Sequence, residues 1–279
     1  MKLKSILTTV ALVVLSAASH AAYVVGGASQ TLISSSGEWA WDGTYMQPFR
    51  AALENPAYFG PGGVVNQSIS TTTLNTVDAA SLSGIDMFVG TWIADGQAAP
   101  IETAILNFFL GGGDLWLLQD DANHDGLGAA LGISTSPSDG SPSNGSAPLF
   151  DGPFGTATDV RQLYLVGQLN EVAILALGGT VSGRNASNQV TSAYWTAGTF
   201  APGAGALFIT ADIDMIANTG TQCGLPTCGA SYSPLNSNGI YALNTMSFLQ
   251  QNGGSSVPEP GSLALFGLAM TVLLLRRRT

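Results

Sequence analysis

The feature that most constrains the fold is a strand–helix–strand pattern in the first half of the chain. Residues 87–90 form an apolar run after Asp86, and residues 101–109 follow with their large apolar side chains at helical spacing. The next apolar run, over residues 115–118, follows three glycines and Asp114. Strands without polar alternation are typical of a parallel sheet that is covered on both faces. The pattern therefore predicts an α/β fold built on a parallel sheet.

Further elements are predicted on both sides of this unit. Apolar runs predict strands over residues 23–25 and 64–69, and a helix is predicted over residues 45–53. Together these elements predict one folded domain of ordinary size.

The segment between the central unit and the last strand is predicted to be a β-rich insertion. Residues 134–160 are rich in Ser, Pro, Gly and Asn, which predicts a long surface loop. Residues 172–177 and 189–195 are predicted as strands of the insertion. The alternative architecture for the whole domain is a β-sandwich, which the Gly, Ser and Thr content favours.

Three phrases of the central region resemble class I glutamine amidotransferase-like domains, which have a flavodoxin-type fold. They are Leu-Ser-Gly-Ile-Asp at residues 82–86, Gly-Gly-Gly-Asp-Leu-Trp-Leu-Leu at residues 111–118 and Leu-Gly-Ala-Ala-Leu-Gly-Ile at residues 127–133. Residues 205–214 are similar to the last strand and acidic turn of such domains, and a closing helix over residues 240–250 completes the similarity. The resemblance implies a flavodoxin-like parallel sheet. It also implies that Asp212 and Asp214 lie at the strand end next to Asp120.

The chain departs from these domains where their chemistry takes place. Working amidotransferases carry a cysteine nucleophile on the turn after a central strand, with a histidine partner, whereas the matching turn here carries Gln119, Asp120 and Asp121. We therefore expect a domain that binds or scaffolds and does not catalyse. The rival hypothesis is a secreted, carboxylate-dependent hydrolase acting on polysaccharide. Trp39 and Trp41 are predicted to pack against the core, with stacking on sugars as the alternative.

The first residues have the composition of a secretory signal peptide. Lys2 and Lys4 precede an apolar run over residues 6–15, and residues 19–21 fit a cleavage site of small residues. We expect export and removal of residues 1–21. A permanent N-terminal membrane anchor is the alternative.

The chain ends in an apolar run followed by three arginines. Residues 261–275 contain no charge and no proline, and Arg276, Arg277 and Arg278 follow directly. A helix over this run is about 22 Å long at about 1.5 Å per residue, which is shorter than the roughly 30 Å hydrocarbon core of a bilayer. The arginines favour a membrane helix, because they suit the anionic cytoplasmic face and have no place in a packed core. A terminal core helix is the alternative.

Just before this helix lies the motif Val257-Pro258-Glu259-Pro260. A flexible linker that begins with Gly and Ser residues is predicted over residues 253–257, so Val257 is both its last residue and the first residue of the motif. The prolines fix φ and lack N–H donors, so the motif is predicted to be extended and accessible. The order of motif, short helix and arginines over residues 258–279 resembles the PEP-CTERM sorting signal of Gram-negative bacteria.

The resemblance to this signal implies a route for the whole protein. It implies processing by an exosortase, a membrane-embedded cysteine transpeptidase that reads the Pro-Glu-Pro motif, and transfer to the cell envelope or exopolysaccharide. The expected organisation is a signal peptide, an exported globular domain over residues 22–252, the linker, and the sorting signal with its membrane helix.

The exported region is strongly acidic. Residues 22–256 hold three arginines, Arg50, Arg161 and Arg184, against seventeen acidic residues, which gives a net charge near −14. Such a surface repels nucleic acid, whose binding requires a basic footprint. Contact with a polyanionic matrix would require polar groups or bridging cations.

Two cysteines, Cys223 and Cys228, lie close together in a loop that also contains Gly and Pro. In an oxidising compartment, a local disulfide between them is the simplest expectation. A metal site is the alternative, but it would need further ligands nearby.

A second candidate for metal binding is an acidic turn. Asp121, Asn123 and Asp125, followed by Gly126, match the first half of an EF-hand calcium loop. Their alternate spacing brings three oxygen ligands onto one hard cation, and the glycine permits the sharp turn. Gly132 stands where the second half requires a bidentate glutamate. Two interpretations therefore stay open, a weak calcium site and an ordinary acidic turn.

Overall fold

The computed structural model describes residues 22–32, 37–120, 122–162, 166–217 and 236–254. Tyr23–Ser255 form one compact unit. The predicted signal peptide and the helix predicted over residues 261–275 lie outside the described ranges. Within those ranges, no helix is long and apolar enough to cross a membrane.

The strands are, in chain order, β1 (Tyr23–Ala28), β2 (Ile69–Leu74), β3 (Met87–Thr91), β4 (Asp114–Leu118), β5 (Thr135–Pro137), β6 (Ser143–Gly145), β7 (Asp151–Gly152), β8 (Gly155–Thr156), β9 (Gly167–Leu169), β10 (Thr180–Asn185), β11 (Val190–Trp195) and β12 (Leu207–Thr210). The α-helices are α1 (Gln47–Leu53), α2 (Ala79–Leu82), α3 (Ala99–Leu110), α4 (Gly126–Ala130), α5 (Glu171–Ala176) and α6 (Ser237–Asn252). Short 3₁₀ turns lie at Gly37–Trp39 and Ile213–Met215.

The main sheet has a parallel half, in the order β2-β1-β3-β4-β12. Helix α1 connects β1 to β2, α2 connects β2 to β3, and α3 connects β3 to β4. In the sheet, β2 lies on one side of β1 and β3 lies on the other. The direction of the strand order therefore reverses at β1. The predicted α/β fold on a mostly parallel sheet is confirmed, and the β-sandwich alternative is wrong.

Both faces of the sheet are covered, because successive side chains of each strand point to opposite faces. On β3, Met87 and Val89 belong to one hydrophobic core and Phe88 belongs to the other. The first core also contains Phe49 of α1 and Leu243 of α6, and the second contains residues of α2, α3, α4 and α5. Burial of one such side chain contributes about 1.5–3 kcal/mol. Two cores explain why the parallel strands show no polar alternation.

An antiparallel extension continues the sheet beyond β12, in the order β11-β10-β6. The strand predicted over residues 189–195 is confirmed as β11. The strand predicted over residues 172–177 is wrong, because this segment is α5. Asn170 caps α5 by accepting a hydrogen bond from Ala173 N at 3.2 Å, a strong helix-start signal. Val172 and Leu175 are 78% and 58% exposed, so the apolar run does not reflect burial in a sheet.

Two other predicted segments differ from the structure. The strand predicted over residues 64–69 is wrong in position, because β2 begins at Ile69 and continues through three threonines, whose β-branched side chains favour strands. The surface loop predicted over residues 134–160 contains β5 to β8, and it buries Leu149 and Phe150 almost completely. That segment is therefore a packed part of the domain.

Candidate functional site

The carboxyl ends of the parallel strands form the candidate site. In open α/β sheets, ligands bind outside these ends, at the point where the direction of the strand order reverses. Here the reversal lies between β1 and β3, which end at Ala28 and Thr91. Ser29 follows β1 and Trp92 follows β3, so these two residues flank the crevice. The turns after β4 and β12 complete the same edge of the sheet.

Trp92 is held in an unusual backbone conformation. Its φ is 43°, which is unfavourable for a bulky side chain and is typical of strained functional positions. Its backbone N–H donates to Leu118 O at 3.0 Å, and its indole Nε1–H donates to Asp120 Oδ2 at 3.0 Å. Its ring stacks on His124, with ring centroids 4.0 Å apart and an angle of 14° between the planes. Trp92 therefore joins the turns after β3 and β4.

Trp92 belongs to a group of half-buried rings, named here the aromatic cluster: Trp39, Tyr45, Trp92 and His124. The ring centroid of Trp39 lies 5.6 Å from that of Trp92 and 4.7 Å from that of Tyr45. Trp41 is fully buried, and its Nε1–H donates to Thr72 O at 2.8 Å. Core packing is confirmed for Trp41. Trp39 is partly buried, packs against the core, and also belongs to the aromatic cluster.

Acidic side chains follow the ends of β4 and β12. Asp120, Asp212 and Asp214 are 5%, 0% and 6% exposed. Leu118 and Thr210 are partners in the parallel register, so Asp120 and Asp212 follow neighbouring strand ends as expected. Asp212 Oδ1 accepts a hydrogen bond from Asp214 N at 2.7 Å and so begins the 3₁₀ turn. These carboxylates give the edge hydrogen-bond acceptors.

The predicted calcium turn is only partly described. Asp125 is buried, and its Oδ2 accepts hydrogen bonds from Thr135 N at 2.6 Å and from Thr135 Oγ1 at 3.1 Å. The carbonyl of Asn123 accepts a hydrogen bond from Asp95 N at 2.8 Å, and Asp121 lies outside the described residues. Over the ranges that the structure describes, no three acidic, histidine or cysteine side chains form a group able to hold a metal ion. The calcium site stays a prediction.

The other sites that the sequence predicts also fall outside the described residues. They are the disulfide between Cys223 and Cys228, the sorting motif over residues 257–260, and the arginines over residues 276–278. The disulfide stays a prediction.

Two surface cavities lie away from the aromatic cluster. A polar cavity of about 360 Å³ is bounded by β5, β9, the start of α5 and the turn between β10 and β11. Beside it, Arg184 Nη2 donates to Glu171 Oε1 at 2.6 Å, and this hydrogen bond lowers the pKa of Glu171. Gln189 Oε1 accepts from Asn185 Nδ2 at 2.6 Å. Because these polar groups bond to one another, the cavity is a weaker candidate than the strand ends.

The second cavity is an apolar groove of about 430 Å³ between α2 and α3. It lies at the amino ends of β3 and β4, because its lining includes Asp86 and residues 111–113. The groove is therefore at the opposite edge of the sheet from the aromatic cluster.

The C-terminal segment matches a known sorting signal. A family model for the PEP-CTERM protein-sorting motif matches residues 256–278, which include the predicted motif and the three arginines. The chain carries a PEP-CTERM sorting motif. This motif implies exosortase processing, export, and membrane-associated sorting toward the cell envelope.

The fold of this PEP-CTERM chain is similar to that of the mmIFT52 N-terminal domain, with a TM-score of 0.50 and 11% identity over 81% of this chain and 97% of that domain. It is also similar to a cytoplasmic protein from Salmonella typhimurium, with a TM-score of 0.43 and 12% identity over 84% of this chain and 100% of that one. At 11% identity, the similarity to the mmIFT52 domain shows the fold alone, and the TM-score of 0.43 for the Salmonella protein carries no argument. Comparison with curated protein sequences finds no match.

These comparisons leave two expectations from the sequence without support. The amidotransferase-like resemblance is not confirmed, and the polysaccharide hydrolase alternative gains no support. The chain also has a weak similarity to the exo-β-1,4-mannosidase Op5Man5 from Opitutaceae bacterium strain TAV5, at 9% identity and a TM-score of 0.42, over 69% of this chain and 31% of that enzyme. That TM-score carries no functional argument.

Sequence reasoning missed the residue at the centre of the site. Trp92 follows the apolar run of β3 directly, and a large aromatic residue just after a buried parallel strand is the signal that was available. Its contact with Trp39 crosses 53 positions of the chain. No local pattern connects residues so far apart.

Proposed function

We propose that this chain is an exported surface or extracellular-matrix protein. Residues 1–21 direct export as a signal peptide. The helix over residues 261–275 and the arginines after it hold the protein in the inner membrane. An exosortase then cuts near residues 257–260 and transfers the protein to the cell envelope or exopolysaccharide. The sorting motif matched at residues 256–278 supports this route.

We further propose that the α/β domain is a binding module whose ligand is a neutral polysaccharide. The observation that carries this proposal is the aromatic cluster at the strand ends. Sugar rings have apolar C–H faces that pack on aromatic rings. The net charge near −14 of residues 22–256 disfavours an anionic ligand.

The turn after β4 supports binding without catalysis. Gln119 is 3% exposed, and its Nε2 donates to Asp125 O at 3.1 Å. Oδ2 of Asp120 accepts from the Trp92 indole. These two side chains hold the surrounding turns together.

The binding proposal is tested by titrating the full-length protein with a soluble neutral glucan and with an anionic uronate polymer. We expect the glucan to bind more tightly. Trp39→Ala and Trp92→Ala should each weaken glucan binding at least tenfold. Tyr58→Ala is the matched control, because Tyr58 is a half-buried ring that contacts Phe154 instead of the cluster. Equal glucan affinity in all three variants would contradict the assignment.

A further inference from the structure

One buried carboxylate holds both ends of the described domain. Asp114 begins β4 and is 0% exposed. Its Oδ2 accepts a hydrogen bond from the Tyr23 hydroxyl at 2.5 Å, at the start of β1. Its Oδ1 accepts from Ala206 N at 2.8 Å and from Gly254 N at 3.0 Å. The residue that opens the domain and the residue from which the sorting segment continues therefore meet at one side chain.

The chain is tightly packed where it leaves the domain. A Cβ added to Gly253 would lie 1.9 Å from Asp114 Oδ2, and one added to Gly254 would lie 2.9 Å from Gly112 O. The carbonyl of Asn252 accepts a hydrogen bond from Ala197 N at 3.1 Å. Because Tyr23 and Asp114 open parallel strands, this exit lies at the amino edge of the sheet, opposite the aromatic cluster.

The sorting motif lies only a short distance beyond this fixed point. Pro258 follows Gly254 by four residues, and four fully extended residues reach at most about 14 Å. A domain of this length has a radius of gyration of about 17 Å. The tether is therefore shorter than the radius of the body to which it is attached. An enzyme that reads the motif must come close to the amino edge.

We propose that the amino edge of the sheet is the surface that the exosortase meets during processing. The proposal rests on the proposed sorting route and adds the face of the domain that is presented. Beside the exit lies the apolar groove between α2 and α3, and among the described residues that line it Asp86 is the one that carries a charge. On a domain with a net charge near −14, this nearly neutral surface suits the approach of a membrane-embedded partner.

The test places bulk at either edge of the sheet in the full-length protein. A biotin-acceptor peptide is inserted after Gly84, in the exposed turn before β3, or after Gly96, in the exposed turn that follows β3. Both sites are exposed turns, which tolerate insertion. Processing by exosortase in membrane vesicles is followed by the loss of mass, with and without streptavidin. An unchanged melting temperature for both insertions shows that the fold is retained.

We expect streptavidin to slow processing at least tenfold when it is bound after Gly84, and less than twofold when it is bound after Gly96. A spacer of twenty Gly and Ser residues after Ser255 spans about 25 Å and should reduce the Gly84 effect to less than twofold. Equal rates for the two insertions would overturn the proposal while leaving sorting intact. A chain that is not processed even without streptavidin would overturn the sorting route and this inference together.

Discussion

Buried aspartates in this domain act mainly as acceptors for backbone N–H groups. Asp114 accepts from Ala206 N and Gly254 N, and Asp125 accepts from Thr135 N. A buried carboxylate is tolerated when its oxygens are hydrogen-bonded. Each of these residues therefore connects two separate segments of the chain. A substitution that removes its carboxylate leaves backbone N–H donors without an acceptor.

Asp114→Ala should destabilise the domain strongly. It leaves Ala206 N, Gly254 N and the Tyr23 hydroxyl without their acceptor, and each unsatisfied buried group costs about 1–3 kcal/mol. We expect the free energy of unfolding to fall by about 3 kcal/mol or more in urea denaturation. Asp114→Asn retains Oδ1 as an acceptor and should lose less than half as much. Equal losses in the two variants would contradict the role assigned to Oδ1.

Calcium should stabilise the protein if the turn over residues 121–125 binds it. Binding at a hundredfold excess over the dissociation constant adds about 2.7 kcal/mol, and half an EF-hand loop calls for millimolar calcium. Asp121→Ala is the informative variant, because it removes an oxygen ligand, and it should abolish the calcium-dependent rise in melting temperature. Asp125 is unsuitable, because its substitution would also remove the hydrogen bonds to Thr135.

Asp159→Asn is the control for the calcium measurement. It removes one exposed charge, and asparagine tolerates the φ of 52° at this position. Its response to calcium should equal that of the wild type. A wild-type melting temperature that is the same with calcium and with chelator would leave the turn as an ordinary acidic turn.

At the scale of elements, β2 is an edge strand that is partly blocked. Unpaired N–H and C=O groups of an edge strand are a template for pairing with another chain. Glu54, at the end of α1, accepts hydrogen bonds through Oε1 from Thr71 N at 2.9 Å and from Thr71 Oγ1 at 2.6 Å. The Glu54 carboxylate therefore occupies the middle of the β2 edge and places a negative charge there.

Glu54→Ala should increase association between copies through β2. It exposes the Thr71 N–H and removes a repulsive charge, so the sedimentation coefficient should rise more steeply with concentration than it does in the wild type. Glu54→Gln retains an oxygen acceptor and removes the charge, which separates the two effects. A concentration dependence of Glu54→Ala equal to that of the wild type would show that Glu54 does not protect the edge.

At the scale of the whole molecule, the proposed ligand site and the point where the chain leaves the domain lie at opposite edges of the sheet. The aromatic cluster lies at the carboxyl edge of the sheet, whereas the chain continues toward the sorting motif from the amino edge. The parallel strands impose this separation, because all of them begin at one edge and end at the other. We infer that ligand binding and exosortase processing use different surfaces.

Replacement of Pro258, Glu259 and Pro260 by alanine should stop processing. The variant is expected to stay in the inner membrane at its unprocessed mass, because alanines restore N–H donors and remove the extended conformation that prolines impose. Cell fractionation and mass spectrometry measure both properties. Ser255→Ala, which lies outside the matched residues 256–278, should be processed normally. Transport of the triple variant to the envelope at wild-type levels would refute the sorting route.

The sequence by itself determined the parallel core and the sorting motif, because both depend on neighbouring residues. The unbroken apolar runs of β3 and β4 and the helical spacing of α3 are local patterns, and so is the order of motif, apolar run and arginines. A prediction failed where the apolar side chains of a segment are not buried. In α5, the apolar Val172 and Leu175 are exposed, so the apolar run that predicted a buried strand belongs to a helix with exposed apolar side chains.

Only the tertiary structure decided which residues form the site and where the chain leaves the domain. The Tyr23 hydroxyl reaches Asp114 across 91 positions, and Gly254 N reaches it across 140. The aromatic cluster likewise joins the turns after β3 and β4 with the segment that precedes α1. Such contacts depend on the order in which strands pair, and strand pairing is set by the packing of two cores against the sheet. Periodicity within one segment contains no information about that order.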